Sequence, residues 1–382
     1  MTLHKKIPLL LLFLLLLGGC KQRYDSPYKS PATGYLVVEG YISGNSPTQY
    51  TLSRVIELPG DSSIPMETKA KLQVEGNDNT IFPLGEQGNG VYGVGGLALS
   101  PTVQYRLRIQ TSNGESYLSD YVPFKPTPPI DSINWIQDAD GVTIYANTHD
   151  PANTTRYYQW EFDETWAYDA AEFSYYKWLG YPTDSVRVRA DSEFVFHCWQ
   201  NKPSTPLLLG SSVKLAQDVI YRQPLQQIPT MSQQFSILYS TMVRQYALTQ
   251  AGYDFLSLMK SNTESLGSIF DAQPSQLKGN IHCLTNPAEP VVGYVSAGTV
   301  QQQRIFISRF QVGDIGYQFA CQQPDTPVAR ALAIQFFEYQ DYVPLGLIIQ
   351  NGQTVGWTAN AKFCVDCTIQ GGTTKKPSFW PN

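Results

Sequence analysis

The chain has 382 residues, with 27 Lys and Arg against 32 Asp and Glu, a net charge of -5. This acidic balance, with only 15% charged residues, argues against nucleic acid or an anionic lipid surface as the partner. The length is a soft indication of two domains, and 24 Tyr, 17 Phe, 29 Gly and 26 Pro describe a mainly β chain with many turns.

Residues 1–19 read as a lipoprotein signal peptide. Lys5 and Lys6 give a basic start, Ile7 to Leu17 an apolar run broken only by Pro8, and Gly18-Gly19 a small pair directly before Cys20. The run is shorter than the ~20 residues that span hydrocarbon. Cys20 sits where lipoprotein processing requires a cysteine and is the expected lipidation site; three acyl chains there would anchor firmly, where one binds marginally. Cleavage there would remove two Lys and no acid, leaving 25 basic against 32 acidic residues and a net charge of -7. Residues 20–34, polar with scattered Pro and Tyr, read as a tether to the bilayer.

The first domain is expected over 35–124. Leu36 to Gly40 and Tyr50 to Leu52 are strand candidates. Ala70, Leu72 and Val74 alternate with polar residues, as do Tyr105, Leu107 and Ile109, which fits strands with one buried face. Asn113-Gly114 predicts a two-residue hairpin with both φ values positive. Short strands at this spacing predict a β-sandwich of immunoglobulin or fibronectin type. The Pro-rich stretch 123–129 closes the unit, with a stiff linker at 125–129.

A larger β-rich domain is expected over 130–382. In the segment Tyr157 to Trp166, Tyr158, Trp160, Phe162 and Trp166 share one face with Glu164; Tyr157, Gln159, Glu161, Asp163 and Thr165 share the other. Val186 to Ala190, Ile237 to Leu248, Gly293 to Ala297, Arg304 to Phe310 and Ala331 to Tyr339 read as further strands. One inserted α-helix is predicted near 249–262, capped by Thr249, with Ala251, Phe255, Leu258 and Met259 on one stripe. Asn351-Gly352 marks a second hairpin between Leu347 to Gln350 and Gln353 to Trp357.

Few residues offer chemistry. Glu161 and Asp163 fall together on a polar face, where a solvated pair costs nothing. Glu164 is the exception, an acid among aromatics whose burial would raise its pKa. A carboxylate-based hydrolase would need a second acid about 5–10 Å from it. Trp166, Tyr175, Tyr176, Trp178 and Tyr181 form a dense aromatic group. Glu164, Trp166, Trp178 and Tyr181 are accordingly the possible contacts for a ligand or partner, although core packing is the commoner use of such rings. His197-Cys198 and His282-Cys283 could offer nitrogen and sulfur to zinc, but neighbours on a strand point to opposite faces. No metal or cofactor is therefore expected. The three histidines beyond the signal, His149, His197 and His282, come without a Gly-x-Ser-x-Gly elbow. The five cysteines after Cys20 (Cys198, Cys283, Cys321, Cys364 and Cys367) are disulfide candidates in an oxidising compartment; at most two bridges form and one thiol stays free. Cys364 and Cys367 are expected to staple the tail to different strands, with Cys198, Cys283 and Cys321 as the open choice of partners.

Several segments together resemble one family. They include Leu36-Val37-Val38-Glu39-Gly40, Pro128-Pro129-Ile130-Asp131-Ser132, Gly267-Ser268-Ile269-Phe270-Asp271, Asn280-Ile281-His282-Cys283, Gly293-Tyr294-Val295-Ser296-Ala297, Cys364-Val365-Asp366-Cys367 and Pro377-Ser378-Phe379-Trp380. The resemblance is to the domain-of-unknown-function 4249 lipoproteins of the Bacteroidota. It implies an outer-membrane lipoprotein, often encoded beside a TonB-dependent transporter, with no established activity to carry over. Lys21, Gln22 and Arg23 stand where surface-exported members often carry acids, which leaves both faces of the membrane open. The expected function is a non-enzymatic accessory or binding component of a TonB-dependent transporter system, its small ligand unnamed by any residue. The alternatives are an extracytoplasmic hydrolase and a structural part of an envelope complex.

Overall fold

The computed structural model describes residues 34–56, 64–264, 277–313, 317, 321 and 325–381. The signal peptide, Cys20, nearly all of the tether and the Gly267 to Asp271 segment lie outside the described residues. The chain is mainly β, with 49% strand against 13% helix. Among the described residues, no helix is long and apolar enough to cross a membrane.

The first unit is built from β1 (Leu36–Ser43), β2 (Thr48–Arg54), β3 (Lys71–Gly76), β4 (Ile81–Gly88), β5 (Val91–Val94), β6 (Gln104–Gln110), β7 (Ser116–Ser119) and β8 (Val122–Lys125). The second continues with β9 (Ile130–Asp138), β10 (Gly141–His149), β11 (Tyr157–Asp169), β12 (Tyr176–Trp178), β13 (Val186–Val188), β14 (His197–Pro203), β15 (Leu208–Ser211), β16 (Val219–Pro229) and β17 (Leu238–Ala247). Helix α1 (Gln250–Glu264) follows, then β18 (Ile281–Cys283), β19 (Ala297–Gly298), β20 (Val300–Ser308), β21 (Thr326–Ala329), β22 (Tyr342–Gln350) and β23 (Gln353–Ala361).

In the first unit the alternating residues do what their spacing predicts. Leu72, Val74, Tyr105, Leu107 and Ile109 are buried in one core with Leu36, Val38, Tyr50 and Leu52. Strand pairing runs β6-β3-β4-β5-β2-β1-β19-β8, and β8 pairs back onto β6, so the sandwich closes on itself. Closure needs a segment from far along the chain. β18 pairs with β7, and β19 lies parallel between β1 and β8. Ile281, Cys283, Val291, Val295 and Ala297 join the first core. The first unit is thus residues 35–124 plus a returning segment at 281–298, which the sequence places with the second region. Its turn at Asn113-Gly114 also differs. Only Gly114 has positive φ, and Gly114 N–H bonds to Thr111 O at 3.0 Å, so the loop is longer than a two-residue turn. At Asn351-Gly352 both residues do have positive φ, and the hairpin β22–β23 forms.

The second unit packs the sheet β14-β11-β17-β20 against β16-β10-β9. Register places Trp160 opposite Gln245, Phe162 opposite Val243 and Trp166 opposite Tyr239, and this face fills the core with Ile144, Ile228 and Ile307. A third sheet, β21-β23-β22, carries a small core of Val328, Phe337, Trp357 and Ala359. The stretch Ala331 to Tyr339, read as a strand, is instead helical: a 3-10 turn at Arg330–Leu332 leads to a π-helical turn at Gln335–Tyr339. Ala333 and Phe337, four apart, are its buried residues, and Ala, Leu and Gln favour that winding. Gly293 to Ala297 is also largely irregular, with strand only at its end.

The Pro-rich stretch is stiff, but it is part of the core. Thr127 is buried; its N–H bonds to Thr299 Oγ1 at 2.8 Å, and its hydroxyl accepts from Ala247 N–H at 2.9 Å. Fully buried Gln245 donates to Pro128 O at 2.9 Å and to Thr148 Oγ1 at 3.0 Å, and accepts from Trp160 Nε1 at 2.8 Å. One amide therefore ties the linker to both sheets of the second unit. On the other side of the junction, Asn45 forms a reciprocal pair with the Val300 backbone, at 2.9 and 2.8 Å.

Two disulfides join Cys198 to Cys367 and Cys321 to Cys364, leaving Cys283 buried and free. Both tail cysteines are used, each with a different partner. The tail then pairs with β14 through Trp199 and Thr373 and lays Trp380 edge-on against Phe306.

Two outcomes follow. Gln245→Leu would strand the Trp160 N–H and the Pro128 carbonyl in the core, costing about 2–4 kcal/mol; urea denaturation at constant slope would show it, and an unchanged midpoint would refute the role. The double change Cys198→Ala and Cys367→Ala should cost roughly 2–5 kcal/mol and expose the tail to early proteolysis.

Candidate functional site

The polar face of β11, expected to be open to solvent, is the floor of a cleft. Register sets Gln159 opposite Tyr246, Glu161 opposite Arg244 and Asp163 opposite Met242 on β17, and Gln302 opposite Arg244 on β20. Strand β1 of the first unit forms one wall, and α1 the other. The cleft has a volume of about 680 Å³.

Helix α1 begins as predicted, with the Thr249 hydroxyl accepting from Gly252 N–H at 3.1 Å. Its inward stripe is rotated from the one expected. Ala251 is exposed; Gly252 and Phe255 are buried, and Phe255, Leu256 and Met259 line the cleft. The close approach of Tyr294 explains the shift, since a Cβ on Gly252 would stand 3.1 Å from its ring. Phe255 and Tyr294 then pack with ring centres 5.6 Å apart.

The wall at β1 is partly unzipped. A parallel bridge pairs Val37 with Val292, and pairing resumes at Ile42 and Ala297, but no ladder joins the residues between. Glu39 and Gly40 are exposed there and line the cleft. Gly293 makes the approach possible: its φ is +151°, and a Cβ would lie 2.4 Å from Val38 O.

On the floor, Arg244 donates to Asp163 Oδ2. Burial works against the Arg244 charge, but Asp163 more than restores it and holds the guanidinium protonated. Glu161 accepts from Tyr246 Oη at 2.9 Å and from Gln159 Nε2 at 3.3 Å, both neutral donors. Burial, reinforced by Glu161, pushes the Tyr246 hydroxyl up, so it remains a donor. Its ring is taken edge-on by Tyr41, with centres 5.0 Å apart.

None of the four contact candidates read from the sequence lines this cleft. Glu164 is 1% exposed and faces the core, with Gln226 Nε2 at 2.7 Å and Tyr239 Oη at 3.3 Å. Trp166 is buried and donates to Gln233 Oε1 at 3.0 Å. Alternation puts both on the core face, and core side chains touch no ligand. Trp178 packs on Phe337 and donates to Glu338 at 2.9 Å. Tyr181 is 87% exposed just beyond the β12 strand. The two His-Cys pairs are likewise apart. His197 bonds to Asp169 and His282 to Asp120, while Cys198 is bridged and Cys283 lies in the first core. The cleft residues had a weaker signal, a polar face on β11 facing Arg244 and Tyr246 on the next strand.

The architecture defines a class: a mainly β protein of β-sandwich character with few helices, and a concave polar-and-apolar site between two β units. Residues 21–304 match the family described as a domain of unknown function, DUF4249, and the chain belongs to that family. The match reaches β20 and stops short of the third sheet and the disulfide-held tail. No curated protein matches the chain. Among solved structures, the chain is similar to the FN1-FN3 domains of chicken CNTN1 at 11% identity and a TM-score of 0.18. That likeness covers 57% of this chain and 64% of the other.

Glu164 gives a pH test. Burial raises its pKa, with the Gln226 hydrogen bond, Lys202 and Tyr239 opposing. A carboxyl raised in the folded state binds protons more readily there than when unfolded, so its contribution to stability falls as pH rises through that window. Glu164→Gln keeps an acceptor for Gln226 and removes the buried charge. Its melting temperature should exceed that of the parent more at pH 8 than at pH 5. Equal gaps at both values would contradict the buried-acid account.

Proposed function

We propose that this protein is a lipid-anchored outer-membrane binding lipoprotein that serves a TonB-dependent transporter and is not an enzyme. The observation that carries the reading is the cleft, a site of ligand size formed where two β units meet over a rigid junction. The arrangement of its charged groups favours binding over hydrolysis. Asp163 is committed to Arg244, and Glu161 is held by two neutral donors. Glu164, the acid on which a hydrolase would depend, is buried in the core away from the cleft. The basic start, the short apolar run and Gly18-Gly19-Cys20 support the anchor, and the setting is the one that the resemblance of the sequence implies. The lipid on Cys20 would hold the body at the membrane, the first unit would dock or space it, and the cleft would present ligand to the transporter.

The test is recovery of the tagged, lipidated protein from outer membranes in mild detergent, with mass spectrometry of what accompanies it. Stoichiometric recovery of a TonB-dependent transporter is expected. Recovery of the intact lipoprotein alone would sink a stable partnership.

A further inference from the structure

Resting on the cleft as the binding site, we infer that its ligand is a short, extended peptide carrying a basic side chain beside apolar ones. Three features of the walls lead there.

The first is charge. Among the described residues, Glu39, Glu161 and Asp163 line the cleft against one cation, Arg244. Arg244 is spent on Asp163, and Glu161 has no cation among its hydrogen-bond donors. Lys260, on α1 near the rim, is engaged by Leu207 O at 2.6 Å and by Glu264 at 3.4 Å. The lining therefore keeps negative charge over its polar floor, in a low-dielectric setting that strengthens attraction for a cation.

The second is the nature of the apolar wall. Leu207, Leu248, Leu256 and Met259 are aliphatic and suit aliphatic side chains. The aromatic rings at the site cover one another: Tyr246 is taken by Tyr41, and Phe255 by Tyr294.

The third is backbone. β1 keeps its ladder to β2 here, and its other edge is open only between Val38 and Ile42, where alternation turns the Gly40 main chain outward along the cleft wall. An extended peptide satisfies such groups with its own N–H and C=O, while its side chains alternate between the acidic floor and the aliphatic wall.

Calorimetric titration of the full mature protein tests this with three probes: acetyl-Leu-Lys-Leu-Lys-Leu-amide, the same peptide with Glu for Lys, and maltotriose. The basic peptide should bind at least about tenfold tighter than the other two. Its affinity should fall by about tenfold in Glu161→Gln, which keeps an oxygen for the Tyr246 hydroxyl and turns its NH2 to Gln159, whose amide can flip to accept. It should also weaken with added salt, and weaken about tenfold in Met259→Trp, whose bulk intrudes on the aliphatic wall. Melting curves show whether each variant is folded. If the acidic peptide or the sugar binds tighter and Met259→Trp weakens that binding, the basic-peptide assignment is overturned while the cleft reading stands. If the basic peptide binds unchanged in Met259→Trp, the cleft is not the site and both fall. Binding of none of the three overturns the peptide assignment.

Discussion

The Gln245 side chain is the constraint on which the rest depends. It is fully buried and both ends of its amide are used: the oxygen on Trp160, the nitrogen on Pro128 and Thr148. A buried amide with this many partners is stable only while all of them stay in place. The node therefore fixes three things at once: the core face of β11, the strand β10 behind it, and the exit of the first unit. Thr127 and Asn45 repeat the logic on either side, with bonds to Thr299 and to Val300. The cleft inherits its shape from this junction, because its floor is the opposite face of the very strands that Gln245 locks.

A second consequence is that the two units are not separable along the chain. The segment at 281–298 leaves the second unit after α1, adds β18 and β19 to the first, and returns directly into β20. Sequence-distant pairing of this kind costs loop entropy that only a completed core repays. The closed sandwich and the second sheet are thus expected to form cooperatively. The disulfides act further out. Cys198 to Cys367 spans 169 residues of sequence and holds the tail against β14, and further along the tail Phe379 lies under Arg304 of β20.

Much of the fold was legible, for a physical reason: wherever one strand face is buried, period-two alternation survives in the residues. Leu72 and Val74, Tyr105 to Ile109, and Tyr158 to Trp166 all show it. The helix after Thr249 was legible through its cap, but its stripe was misplaced because Gly252 carries no side chain to mark the contact face. Ala331 to Tyr339 misled because Ile334, Phe336 and Phe337 favour strands while the spacing of Ala333 and Phe337 favours a helix. The cysteine partners were not legible at all, since the choice among Cys198, Cys283 and Cys321 depends on which lie in the first core and which beside the tail. The site was legible only in half. Glu161 and Asp163 were placed on the correct face, but whether a polar face meets water or another domain is decided by the chain's return at 281–298, which no local pattern announces. Glu164 and Trp166, the odd residues of the strand, instead mark a satisfied core.

The central claim is that the junction around Gln245 and Thr127 is as stable as the fold itself and so holds the cleft open in one shape. Native-state hydrogen exchange tests it at two amides, Thr127 and Ala247, both bonded across the junction. The account predicts that both exchange only through global unfolding, with the same free energy as the core amides of β11 and β17. Exchange at these two positions well ahead of the core would mean that the units hinge there, and the rigid cleft would have to be abandoned.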